Sequence, residues 1–100
     1  MNQTYSPKDP GEVIALEWDF APIIAPSVTI VSAAWEVLNP EDATQDLSSM
    51  LVGGPSISGM FVRQRFMLGP DGVSIKHRIT AVGSDGLVYI EKPTQLVTSE

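Results

Sequence analysis

Residues 60–82, MFVRQRFMLGPDGVSIKHRITAV, decide the fold. In the first run Val62, Gln64, Phe66 and Leu68 fall on one side and Arg63 and Arg65 on the other. In the second, Val73, Ile75, His77, Ile79 and Ala81 alternate with Ser74, Lys76, Arg78 and Thr80. A period of two in branched and aromatic residues marks half-buried strands. Between the runs stands Gly69-Pro70-Asp71-Gly72, all turn formers, so the pair reads as a hairpin. Setting Leu68 against Val73 places Phe66 opposite Ile75, Gln64 opposite His77 and Val62 opposite Ile79, a core face. The same register sets Arg65 opposite Lys76 and Arg63 opposite Arg78 on the outer face. Like charges directly opposite repel across strands. That face reads either as freely solvated or as a surface for an anionic partner. Glu17 and Asp19 of a neighbouring copy, or an acidic patch on another protein, would serve.

Working outward, VIALEWDF (13–20) alternates in the same way, with Ile14, Leu16, Trp18 and Phe20 on one face and Ala15, Glu17 and Asp19 on the other. APIIAP (21–26) is a loop. SVTIVSAAWEV (27–37) is a second strand, with Val28 and Ile30 on one side and Val31, Trp35 and Val37 on the other, so both of its faces read as partly covered. Asn39-Pro40 stops it, because proline removes a ladder donor and restricts its predecessor. Residues 40–51 read as a loop, with at most one helical turn, leading into a short strand that Gly53-Gly54-Pro55 breaks. After Gly83-Ser84-Asp85-Gly86, LVYIEK is a last short strand, ended or edged by Pro93. The expectation is all-β: six or seven short strands in a single antiparallel sandwich over residues 12–92. Residues 1–11 form an N-terminal arm and 93–100 a C-terminal tail, and these ends are expected to be poorly ordered in the free protein.

One hundred residues suit a single domain, and 43% hydrophobic content at a net charge of -6 excludes a disordered chain. No stretch approaches the ~20 apolar residues of a membrane helix, and no export signal precedes an apolar run; the expectation is a soluble protein without membrane contact. The absence of cysteine excludes disulfides, a cysteine nucleophile and thiolate metal sites. An acidic balance argues against nucleic acid as a partner. Residues 1–50 carry eight acids and one base, residues 51–100 four acids and five bases. Either the opposite charges meet within the fold, or the domain has unlike faces that stack on copies of itself or on a partner.

Chemistry is hard to assemble from these residues. His77, the only histidine, falls among core positions and reads as an inward imidazole bonded to a neighbour; a metal site would need further nitrogen or sulfur ligands. Nothing resembles a nucleophile elbow. Glu17 and Asp19 share a strand face but have no catalytic partner. Asp71-Gly72 and Asp85-Gly86 are turn chemistry, and no glycine cluster precedes a helix as a phosphate loop would require. Trp18 and Trp35 lie in alternating strands and read as core, not as a sugar platform. The expectation is no enzyme, no cofactor and no metal. The candidate interface is Arg63, Arg65, Lys76 and Arg78 with Glu17 and Asp19.

Three stretches carry a family resemblance: KDPGEVIALEWDF (8–20), VTIVSAAW (28–35) and LVGGPSISGMFVRQRFMLGPDGVSIKHRITAV (51–82). In order and spacing they resemble the fiber-tail adaptor proteins of tailed bacteriophages, small virion proteins with an immunoglobulin-like sandwich. The chain departs by adding GSDGLVYIEKPTQLVTSE (83–100) and by its four bases where members are neutral and threonine-rich. The resemblance implies a structural role, joining a fibre or other appendage to tail, neck or baseplate. It implies several copies per particle, other virion proteins as partners, and location in the virion after assembly in the host cytoplasm. An immunoglobulin-like carbohydrate or surface binder, or a head-completion or decoration protein, is the alternative.

Overall fold

The first alternating run forms β1 (Ile14–Asp19), and SVTIVSAAWEV supplies β2 (Ile30–Leu38). A 3-10 turn, Ser48–Met50, opens β3 (Leu51–Ser58). Then follow β4 (Phe61–Phe66), β5 (Val73–Gly83), β6 (Val88–Glu91) and β7 (Thr94–Val97). These elements come from a computed structural model that describes residues 5, 7–42 and 44–99. Every paired strand is antiparallel, in two sheets: β1-β4-β3, and β2-β5 with β6 and β7 along the far edge of β5. The expected all-β antiparallel sandwich of seven strands is what the chain forms.

The hairpin reading of residues 60–82 is corrected. β4 and β5 do not pair; each is the centre of a different sheet. β4 has β1 on one side and β3 on the other, and β5 lies between β2 and the β6–β7 edge. The inward residues are nonetheless those expected: Val62, Gln64 and Phe66 face Ile75, His77 and Ile79 across the core, with the Phe66 and His77 rings 5.0 Å apart. Alternation specifies which face is buried but not whether two buried faces lie side by side or one above the other. Residues 67–72 decide the matter. Leu68 (φ 57°) and Gly69 (φ 129°) turn the chain out of one layer, and Met67 N–H bonds Met50 O as it leaves.

Three further differences have local causes. In β2 a bulge between Ile30 and Ser32 leaves Val31 exposed, so Ile30, Trp35 and Val37 share one buried face instead of dividing between two. In β3 the Gly53-Gly54-Pro55 segment does not end the strand. It is a bulge of three residues lying opposite Gln64 alone, with Gly53 at φ 72°. Proline is tolerated because β3 is an edge strand. The tightest hairpin is Ser58-Gly59-Met60-Phe61, where Gly59 (φ 58°) supplies the positive first dihedral of a two-residue turn.

Tyr5, Lys8 and residues 93–98 are joined to the sandwich. β7 continues the β6 ladder in the same register on β5, with His77 N–H bonding Pro93 O between them. Val97 and Gln95 are buried. Against β7 runs the arm, in parallel: Tyr5 N–H bonds Thr94 O, Lys8 N–H bonds Leu96 O, and Thr98 N–H bonds Lys8 O. The arm then crosses to the other sheet as β1. The parts of the arm and tail expectation that fall on residues 1–4, 6 and 100 lie outside the described residues.

Candidate functional site

Inside, Trp35, His77, Gln95 and Lys8 act as internal fastenings, while Gln64 Oε1 is buried with no hydrogen-bond partner among the described residues. Trp35 Nε1–H donates to His77 Nδ1 at 2.9 Å, and His77 Nε2 lies 3.1 Å from Gln95 Oε1. Indole is a donor only, so Nδ1 accepts and the neutral Nε2–H tautomer donates to the glutamine. Burial pushes the imidazole down to about 4, against a weaker upward pull from Gln95. Lys8, also buried, gives its ammonium to the carbonyls of Asp9 and Leu68 at 2.9 and 2.7 Å. Burial lowers its pKa, opposed by the charges of Glu12 and Asp9. Tyr5 packs edge-on against Trp18 and His77, with its hydroxyl donating to Glu17 O. Its pKa is raised, chiefly by burial and then by the Glu17 charge. Neither tryptophan is a surface platform: Trp35 is buried and Trp18 half-buried beneath Tyr5.

The candidate interface residues divide between the two outer faces. On β1-β4-β3 the outward rows are Ala15–Arg65–Val52, Glu17–Arg63–Ser56 and Asp19–Phe61–Ser58. Glu17 and Arg63 are cross-strand partners, with N–O 3.7 Å and both side chains about half exposed (52% and 53%). Asp19 accepts from Ala21 N–H, closing the turn after β1. On the opposite sheet the outward rows include Leu38–Lys76–Thr94 and Glu36–Arg78. Arg78 pairs with Glu36 at 3.7 Å. The four bases therefore do not form one face. Arg63 and Arg65 lie on one side of the sandwich, Lys76 and Arg78 on the other, and none of these four bases is paired with another of them across a ladder. Glu17 and Asp19 join the first group; Glu36, which sequence reading passed over, joins the second. Its position on β2 could be matched to Arg78 only once β2 was known to pair with β5.

The sequence matches no protein-family model and no curated protein. Over the β3 bulge the first face holds an open hollow of about 240 Å³, lined by Val52, Gly54, Ser56, Arg63 and Arg65. It is polar, shallow and set on a rigid sheet. Such a surface can make protein contacts through guanidinium groups. Among the described residues no three metal-ligating side chains gather.

The molecule is also unlike at its two ends. Loops 9–13, 39–50 and 67–72 bring Asp9, Glu12, Glu41, Asp42, Asp46 and Asp71 to one end. The loops at the other end present exposed Ile23 and Leu87, beside exposed Val31 and Val88. Asp42 and Asp46 have lowered pKa values because their carboxylates accept local hydrogen bonds, from Thr44 and Ser48 respectively.

Proposed function

We propose that this chain is a non-enzymatic structural protein of a tailed-phage virion, an adaptor that joins a fibre or other appendage to tail, neck or baseplate through protein–protein contacts. The reading is carried by the ordered resemblance of residues 8–20, 28–35 and 51–82. These three stretches supply β1, β3, β4 and most of β2 and β5, the whole of one sheet and the two longest strands of the other. The surface is consistent with such a part. Its outer faces carry paired charges, and six of its acids gather at one end. Mixed-charge faces orient partners and set association rates more than they add affinity.

The test is to delete the gene from a phage that carries it and examine the particles. The expected result is normal heads with tails lacking an appendage, and recovery of the protein from purified wild-type virions. Its absence from virions would overturn the reading. Recovery from wild-type virions together with tailless heads in the deletion would favour the head-completion role.

A further inference from the structure

We propose that the hollow over the β3 bulge is an oxyanion site that takes the carboxylate of an acidic side chain presented by a partner protein. Its floor is a backbone detour held in shape from within. Gln64, buried beneath it, donates its two Nε2 hydrogens to Gly53 O at 2.9 Å and Arg65 O at 3.0 Å, with Val52 O at 3.3 Å sharing one of them. Gly53 accepts the left-handed dihedral this requires, and Gly54 leaves the opening free of a side chain. A bulge fixed in this manner is a built feature of the strand, of the kind that re-aims groups beside a site.

Arg63 and Arg65, two residues apart on β4 and both outward, line the hollow with Val52 and Ser56. Arg63 meets Glu17 only at 3.7 Å, too long for a hydrogen bond, so its donors remain available. Arg65 has no acid within 4.0 Å among the described residues, although the chain holds twelve acids and six bases. In so acidic a protein, an arginine with no acidic partner among the described residues, beside a preformed hollow, is placed for an incoming anion. The fork of a guanidinium matches a carboxylate or a phosphate alike. Local charge separates them. Two guanidinium charges less that of Glu17 leave one positive unit, suited to a singly charged carboxylate, and the net charge of -6 repels a dianion.

The adaptor reading enters only through the identity of the partner; the hollow is tested on the isolated protein. Acetate, inorganic phosphate and chloride are titrated at constant ionic strength and pH 7 while the Arg65 Nε–H and the Gly54 and Ser56 amides are followed by NMR. The expected result is a saturating shift of these three signals with acetate, and none with chloride. Arg65→Gln should weaken binding about tenfold, and Lys92→Gln, a surface change on the other sheet, should leave it unaltered. Acetate shifts no larger than those of chloride, or a response untouched by Arg65→Gln in a folded protein, would overturn the site. Phosphate binding as tightly as acetate would overturn the carboxylate assignment. Failure of the hollow leaves the virion test standing, and failure of that test leaves the hollow.

Discussion

His77 illustrates how one buried group ties the fold to pH. Its folded pKa of about 4 lies below the ordinary histidine value of 6.5, so the unfolded chain binds the proton more readily. The histidine contribution is fully present above pH 6.5 and is lost as pH falls through the window down to about 4, a change of about 3 kcal/mol. Denaturant midpoints of the wild type at pH 7 and pH 4.5 should therefore diverge more than those of His77→Gln. Equal divergence would mean that carboxylates, not the imidazole, govern acid lability. Leu68 is a different residue-scale case. It holds φ 57° with an exposed side chain, and its carbonyl receives the Lys8 ammonium. A branched residue in the left-handed region costs about 1 kcal/mol that glycine does not. Leu68→Gly should raise the melting temperature by a few degrees; a lower melting temperature would refute the strain.

At the scale of elements, the arm behaves as an extra strand. Tyr5 fills space against Trp18, Trp35 and His77, and three main-chain bonds hold the arm to β7 and Thr98. Tyr5→Ala should cost about 2 kcal/mol, in line with removing a half-buried aromatic ring. Chemical denaturation measures it, and a change below about 0.5 kcal/mol would show that the arm is loosely held. This docking was not legible beforehand because residues 1–11 have no alternating pattern and owe their place to one tyrosine and to backbone bonds. The same limit hid β7, whose Thr94 and Gln95 are polar; Gln95 is buried because His77 needs an acceptor. By contrast β1, β4 and β5 were plain from their alternation, as were the inward places of Trp18, Trp35 and His77. The partners of β4 and β5 were not, since nothing in their pattern distinguishes a neighbour in the sheet from one across the core. Hence the candidate charges were identified individually while their grouping was not.

At the scale of the molecule, the sandwich measures 43 × 24 × 23 Å, and its charge is arranged along the chain's turns more than on its sheets. With six acids at one end, added salt should stabilise the fold by screening their mutual repulsion. A melting temperature that falls between 20 mM and 300 mM sodium chloride would contradict this. The parallel run of arm and β7 has a mechanical consequence. Tension applied through the two chain ends draws Tyr5 and Thr98 in opposite directions along neighbouring parallel segments. The bonds from Tyr5, Lys8 and Thr98 then share the load in shear and must break together. Anchors at Ser49 and Met67 would instead peel β3 from β4 one bond at a time. Single-molecule pulling should find rupture through the chain ends at markedly higher force than through those anchors. A part so built resists being drawn out along its own length.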